Sequence, residues 1–425
     1  MLNNTRKVIL VIFIGIFSFP VFGQNNSSSP FSMFGIGDLY SGLYGRSAAM
    51  GGVSTPLISS FQLNPSNPAS YSALSPNTFI YEFGLAADYY TLESYDKSFT
   101  KFDANIRSIA MGFPVTKRWK AGFGLVPVSS IGYSIQQEQY FEPDSTRIIN
   151  TYDGEGGVHS VYLNNSIEIV KSLSLGIKMT YLFGSLDLLR NMYTYNTGST
   201  SVMADSEKSK FKAFSMGFGA HYHKSFDKIF FNVGAYYNLN TNLNGKKEKF
   251  TTNTIIKLAT GYDYTDTLIV DSVPQEGKII IPQSIGIGAS VLFDQKLEVA
   301  VDFQKDTWSK STFFGENRNL SDNQRFSLGF EYTPDYLSPK FYKVIRYRAG
   351  FNYIQSYLTY EGVQLRQTGG SIGFGLPLRS GGIINLAVLY NHREVPDNDI
   401  LKENYLQFNI NFSLRANWFF KPRFD

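Results

Sequence analysis

The sequence contains no cysteine, which excludes disulfide bonds and thiolate metal sites. It also excludes a lipid anchor attached through cysteine. Charged residues make up only 17% of the chain, below the roughly 25% that is usual in soluble proteins. Both signs of charge are spread along the chain and the net charge is only +4, so we expect no nucleic acid partner. We also expect no cofactor.

Long apolar runs are scarce as well. The chain has one such run, and it lies at the amino terminus. Arg6 and Lys7 precede an almost wholly apolar stretch from Val8 to Phe22, which is followed by Gly23. A basic start, a short apolar core and small residues at a cleavage site predict a signal peptide over residues 1–23. An uncleaved anchor is the alternative, although the core is short for a spanning helix of about 20 residues. If the mature protein lies in a membrane, strands must hold it there.

Aromatic residues and glycine, by contrast, are abundant. The chain has 28 Tyr, 36 Phe and 37 Gly. Its length would suit two or three soluble domains or one large barrel. Aromatic girdles flank the lipid-facing band of outer-membrane barrels. The composition therefore favours the barrel.

From about Thr78 onward, apolar and polar residues alternate in long segments. The clearest segment runs from Leu406 to Trp418, where every second residue is apolar and the residues between them are polar. Successive side chains of a strand point to opposite faces, so such a segment has one apolar and one polar face. A soluble sandwich could show the same split. However, several segments reach a dozen residues or more, beyond the ~5 to 6 typical of soluble strands.

Fourteen such segments predict an all-β fold, a 14-stranded antiparallel transmembrane β-barrel over residues 78–425. Short turns alternate with polar connections of greater length at 138–157, 190–208, 244–279, 308–322 and 394–402. Outer-membrane barrels have short periplasmic turns and long outer loops, so this pattern predicts the outer membrane of a Gram-negative bacterium. The segments lie near 78–93, 100–114, 119–137, 158–170, 173–189, 209–224, 228–243, 280–293, 296–307, 323–334, 343–357, 364–378, 382–393 and 403–419.

The segment before the first predicted strand follows no lasting period. From Ser29 to Leu74, apolar residues stand among glycines and serines without the spacing of a helix or a strand. Irregular segments of this length are uncommon inside compact domains. We therefore predict that residues 24–77 form a plug, or hatch, in the lumen of the barrel.

Two patterns suggest catalysis or metal binding but have simpler interpretations. Gly369 to Gly373 matches the G-x-S-x-G pattern of serine hydrolases, which requires a strand-to-helix turn. Here the match lies inside a predicted strand, so we interpret it as coincidental and expect no enzyme activity. His221 and His223 share a strand face, but no third ligand stands at a metal-binding spacing. An inward, water-facing pair is the preferred interpretation, and no metal site is expected.

The remaining polar candidates also have structural interpretations. Asp263, Asp266 and Asp271 lie in the longest predicted loop and could hold calcium, but they lack the spacing of a known calcium loop. We interpret them as part of a solvated loop. Charges of both signs on predicted inner faces either brace the barrel or form a polar path for a solute. These residues are Lys178, Arg346, Arg348, Arg415, Glu298, Asp302 and Glu331.

Two motifs in the irregular segment carry a family resemblance. Gly-Arg-Ser-Ala-Ala-Met-Gly-Gly spans Gly45 to Gly52, and Asn-Pro-Ala spans Asn67 to Ala69. Followed by a 14-stranded barrel pattern, they resemble the amino-terminal hatch of the FadL-like transporters, which are outer-membrane channels for long-chain fatty acids and aromatic hydrocarbons. The hatch motif residues are Gly45, Arg46, Met50, Gly51, Gly52, Asn67, Pro68 and Ala69.

The resemblance implies passive uptake of a hydrophobic small molecule, through a pocket beside the hatch and then past the hatch or through the wall. The expected pocket residues are Phe31, Phe34, Ile36 and Met50. Membrane lipid would be a further partner. Some barrels that resemble this family, the PorV-like proteins, serve instead as non-transporting subunits of a secretion or assembly complex. That role is the alternative, with other outer-membrane proteins as partners.

Overall fold

A computed structural model describes residues 29–40, 44–94, 97–141, 146–196, 199–257, 263–270, 274–379, 381–396 and 398–417. The predicted signal peptide and Asp271 lie outside these ranges. Within them, no helix has the length and apolar character needed to cross a membrane.

Strands dominate the described chain. Its helices are α1 (Gly45–Ala48) and α2 (Phe341–Val344), with 3₁₀ turns at Pro30–Met33, Pro68–Ala73 and Trp308–Lys310. The strands are β1 (Asp38–Leu39), β2 (Thr78–Ser94), β3 (Lys97–Pro114), β4 (Trp119–Phe141), β5 (Thr146–Val170), β6 (Leu173–Asn196), β7 (Ser199–Phe226), β8 (Ile229–Asn238), β9 (Thr241–Lys257), β10 (Asp263–Val270), β11 (Gln275–Ile281), β12 (Ser284–Phe293), β13 (Leu297–Asp306), β14 (Asn323–Tyr332), β15 (Arg346–Tyr360), β16 (Val363–Pro377), β17 (Ile383–Val395) and β18 (Asn398–Asn417).

These strands form a closed antiparallel barrel of 14 staves, as predicted. A stave here is one position in the barrel wall, filled either by one strand or by two strands that lie end to end. The last strand, β18, pairs with β2 along its length and closes the sheet. β8 and β9 act as one stave, since both pair with β7. β12 and β11 form the next stave, pairing with β8 and β9 respectively. β10 pairs with β9 alone among the described strands, and β1 belongs to the amino-terminal segment.

The alternating segments turn their polar residues towards the lumen and their apolar residues outward, as a membrane barrel requires. In β18 the polar residues Asn409, Asn411 and Ser413 point inward and are buried, whereas Phe408 and Ile410 remain 44% and 40% exposed. A soluble sandwich would bury the apolar row instead. The exposed apolar row is therefore the lipid-facing surface.

The prediction of loops at 138–157, 190–208 and 244–279 is wrong, because strands continue through most of these ranges. β5, β6 and β7 have 25, 24 and 28 residues, far beyond the roughly 9 to 11 needed to cross a membrane. A hairpin that leaves the lipid meets water on both faces and so loses the alternation that identifies a strand. The predicted loop at 394–402 is likewise nearly all strand.

Candidate functional site

The described part of the hatch, residues 29–40 and 44–77, lies inside the barrel. Its side chains and backbone form hydrogen bonds with residues on β2, β4, β7, β13 and β16, among other strands. It therefore touches the wall on all sides. The candidate site is the hatch together with the wall residues that hold it.

Arg46 is the centre of a buried charge cluster. It lies in α1 and forms ion pairs with Glu298 and with Glu331, the latter at 3.3 Å. Glu331 is shared, because Arg348 Nε also donates to it at 2.7 Å. Burial lowers the pKa of Arg46, but Glu298 and Glu331 oppose that effect and the pKa ends above its usual value. The guanidinium is therefore charged and fastens the hatch to β13 and β14.

The Met-Gly-Gly motif fits the wall by close backbone contact. Gly51 has a φ of +66°, in the region that favours glycine, and its N–H donates to Ser371 Oγ at 2.9 Å. Gly350 on β15 faces it, and a Cβ at Gly350 would lie only 2.0 Å from Gly51 N. Met50 packs against Gly329 in the same way. Because these wall residues lack a Cβ, the hatch backbone can approach the wall this closely.

Replacing Gly350 by alanine should push the hatch away from the wall. The added Cβ meets backbone atoms of Met50 and Gly51, which cannot rotate aside, and overpacking of this kind costs about 1 to 3 kcal/mol. Gly370→Ala is the matched control, because the nearest atom to its Cβ would be 3.9 Å away. Protease digestion should cleave the hatch faster in Gly350→Ala than in Gly370→Ala. Equal rates for both variants would contradict the close contact.

The Asn-Pro-Ala motif is held by hydrogen bonds and by another glycine surface. The Asn67 side chain accepts from Ala69 N at 3.1 Å and donates to the carbonyls of Thr55 and Ala220 at 3.0 and 3.2 Å. Pro68 lies against two wall glycines, Gly176 on β6 and Gly219 on β7. Asn67 therefore caps a 3₁₀ turn and joins the hatch to β7.

Wall carboxylates hold the hatch backbone elsewhere. Asp302 accepts from the N–H groups of Ser54 and Thr55 at 2.8 and 2.9 Å, and Glu82 accepts from Leu63 N at 2.9 Å. Towards the outer end, Arg393 pairs with Asp38 at 2.9 Å. These inward charges brace the assembly, as one of the two interpretations of the lumen charges predicted.

Three of the four predicted pocket residues are packed tightly. Phe31, Ile36 and Met50 are exposed by 3%, 0% and 0%, and Phe34 is partly buried against the cluster of Phe31 and Ile36. None of the four lines the cavity described next. Their role in holding a solute stays a prediction.

A cavity of about 220 Å³ lies between the hatch and the wall. The hatch supplies Leu39, Tyr40 and Tyr44 to its lining, the wall strand β4 supplies Val128, and the 3₁₀ turn after β13 supplies Trp308. Ser160, Lys178 and Asp306 also line it. No periodic signal in the sequence marks this space, because its lining comes from about eight separate strands that only barrel closure brings together.

The wall is split beside this cavity. The ladder between β3 and β4 ends at Ile109 and Leu125, although both strands continue towards the outer side. On β4 the hatch takes over: β1 pairs with Ser129 and Ser130. Tyr40 of the hatch lies under Arg107 of β3, with 4.0 Å between the guanidinium carbon and the ring centroid. Hatch residues therefore cover the split from inside.

The sequence carries one signal beside this split. Pro127 stands inside β4, two residues past the last residue that pairs with β3, and at a register shift in the pairing of β4 with β5. Proline cannot donate to a strand ladder and is confined to edges and bulges. A proline in the middle of a predicted barrel strand thus marks either an open edge or a bulge.

The other singled-out residues have structural places. Ser371 lies within β16, where a hydrolase elbow cannot form. The His221 ring is buried with Nε2 3.2 Å from the carbonyl of Pro56, and it lies 6.0 Å from the ring of His223. Asp263 and Asp266 fall in β10, whose side chains are outside the described part of the structure, and Arg415 is exposed near the end of β18. No cluster of metal-binding side chains occurs among the described residues.

Solved structures with the same fold include several channels. The chain matches the toluene transporter TodX of Pseudomonas putida with a TM-score of 0.57 and 18% identity, over 90% of this chain and 100% of that one. It matches a FadL homologue of Pseudomonas aeruginosa with a TM-score of 0.58 and 13% identity, over 90% and 98%. The CymD monoaromatic hydrocarbon channel gives 0.56 and 16%, over 87% and 97%. A search of curated proteins finds no match.

These likenesses confirm the FadL-like fold that the hatch motifs predicted. A barrel of this type resides in the outer membrane of a Gram-negative bacterium. The family itself follows from the sequence, since a model described as BamG matches residues 5–425. The match covers nearly the whole chain, and the chain therefore belongs to the BamG family.

Proposed function

We propose that the protein is an outer-membrane channel for the passive uptake of hydrophobic small molecules. The split between β3 and β4 beyond Leu125 carries this proposal, because a spanning wall should otherwise pair every backbone group. The cavity is bounded by Val126, Pro127 and Val128 of β4, immediately past the last paired residue. A solute in the cavity is thus one layer of hatch residues away from the wall opening.

The cavity suits a single ring or a short part of an acyl chain. Its volume is about 220 Å³, and an apolar cavity of roughly 150 Å³ is enough for benzene. A whole long-chain fatty acid would need the hatch to move. Crystal structures with this fold include a toluene transporter and a monoaromatic hydrocarbon channel, which supports the smaller solute.

Lys178 gives the cavity one cation among its lining residues. Its Nζ donates to the Pro65 carbonyl at 3.0 Å and lies 5.3 Å from the Tyr162 ring centroid. Asp306, the anionic lining residue, already accepts hydrogen bonds from Gln304 and Asn323. An aromatic or aliphatic acid would therefore find its counter-charge at Lys178.

Filling the cavity should strongly reduce uptake. Ser160→Phe places a ring in the space, whereas Ala104→Phe adds the same ring at an exposed position on β3. In liposomes we expect toluene and benzoate entry through Ser160→Phe to fall by about tenfold or more, which corresponds to ~1.4 kcal/mol of lost binding. Ala104→Phe should retain wild-type entry. Lys178→Met should slow benzoate and spare toluene.

Two results would argue against a channel. If the wild-type protein passes neither solute, the cavity does not serve transport. If Ser160→Phe passes both at the wild-type rate, transport follows another route.

The outer extension favours a second candidate, a non-transporting subunit of an outer-membrane secretion or assembly complex. β5, β6 and β7 run well beyond the length that a membrane needs, so they present a two-sided sheet outside the cell. At the side of this sheet, β10 pairs with β9 alone among the described strands, and an open edge of this kind offers a docking surface to another protein. Purification in mild detergent distinguishes the candidates: a stoichiometric protein partner favours the subunit, and a lone barrel favours the channel.

A further inference from the structure

A group of lysines lies on the outer surface of the wall, just above its lipid-facing band. On β7 the side chains of Phe214, Met216 and Phe218 face outward, and Phe214 is 82% exposed. On the same strand face, Lys210 and Lys212 follow towards the outer side and are exposed. The face thus changes from apolar to cationic within one step of two residues.

The position of this change matches the outer boundary of the membrane. β7 ends at Phe226 on the side of the short turns. From there to Phe214 is about 12 residues, or ~30 Å of height at ~3.3 Å per residue and a tilt of ~40°, against a lipid-facing band of ~25 Å. Tyr181 packs on Phe214 with ring centroids 5.0 Å apart, as in an aromatic girdle. Lys212 therefore stands at the height of the outer lipid headgroups.

The strand register gathers further lysines beside these two. Lys210 pairs directly with Lys246 of β9, and Lys212 pairs with Asn244. Asn244 in turn pairs with Lys278 of β11. We call Lys210, Lys212, Lys246 and Lys278 the lysine patch. Since neighbouring strands are ~4.8 Å apart and the rise is ~3.3 Å per residue, its members lie within ~12 Å of one another.

The patch has too little negative charge of its own. Lys246 forms an ion pair with Glu276 at 2.9 Å, while no described carboxylate lies within ion-pair distance of Lys210, Lys212 or Lys278. Like charges directly opposite each other on two strands are destabilising, and Lys210 and Lys246 are such a pair. An anion between the strands would remove this repulsion.

We propose that the lysine patch binds the phosphorylated headgroup of an outer-leaflet lipid. Its ammonium groups bind the phosphates, and the acyl chains lie on Tyr181, Phe214 and Met216 directly below. This combination of a cationic row above an apolar surface selects a lipid, because a free phosphate would use the lysines alone. Each lysine near a membrane surface adds to the attraction of anionic lipid.

The test uses the full-length mature protein in detergent and diphosphorylated lipid A as the probe, with binding measured by native mass spectrometry. The variant replaces Lys210, Lys212 and Lys278 by glutamine. Lys224→Gln is the matched control, since Lys224 is an exposed residue of the same strand face near the other leaflet. We expect the triple variant to bind lipid A at least about tenfold more weakly, and the control to bind as the wild type does.

A second arm identifies the ligand chemistry. Lipid A without phosphates should bind wild type no better than the triple variant binds the diphosphorylated form, and millimolar inorganic phosphate should not displace lipid A. Unchanged binding by the triple variant, or equal weakening in Lys224→Gln, overturns the proposal. So does full displacement by inorganic phosphate, which would identify a plain anion site. Because the readout is lipid binding, these outcomes are independent of whether the channel transports.

Discussion

Deleting residues 30–66 is expected to leave a folded barrel whose ionic conductance rises at least about tenfold, as in open, water-filled barrels. The strands pair with each other through their backbones and close at β18 and β2, so the wall does not depend on the hatch for its ladder. Wall charges such as Asp302 and Glu82, which now hold hatch backbone, would become hydrated rather than stranded in a dry interior.

Conductance in planar bilayers checks this deletion, with the full-length protein as the baseline. A shift in gel mobility on heating verifies that the shortened protein is folded. If the deleted protein is folded and its conductance equals the baseline, the segment does not close the lumen. An unfolded deletion would show instead that the hatch is needed for assembly of the barrel.

Replacing Arg46 by methionine is expected to release the hatch from β13 and β14. Removing one partner of a buried ion pair costs about 3 to 5 kcal/mol, because the other charge is left buried without compensation. Here Glu298 loses its ion-pair partner among the described residues, whereas Glu331 keeps Arg346 and Arg348. The affected carboxylate is therefore Glu298.

Thermal unfolding and limited proteolysis of the hatch measure the effect of Arg46→Met. Lys296→Met is the control, since it breaks an exposed pair with Asp294 that contributes only ~0 to 1 kcal/mol. Adding Glu298→Met to Arg46→Met should restore part of the loss, because the stranded charge is removed. If Arg46→Met unfolds at the same temperature as Lys296→Met, the cluster around Arg46 does not hold the hatch.

Local pattern was enough to identify the staves and their faces. The alternation in β18 placed Asn409 and Asn411 inside and Phe408 outside, because the lipid selects one apolar face. The hatch motifs also led to the correct fold. Their glycines and Asn67 matter through close contacts with wall glycines such as Gly350 and Gly219, which no local pattern reveals.

Sequence alone thus determined the barrel and its 14 staves and predicted the hatch, since each depends on local periodicity or its absence. The tertiary structure decided how the hatch is held, where the wall splits at Leu125, and which residues surround the cavity. Those features join residues that are distant in the chain, such as Arg46 with Glu298 and Tyr40 with Arg107. Their proximity arises only when the sheet closes on itself, because closure sets which strands face one another across the lumen.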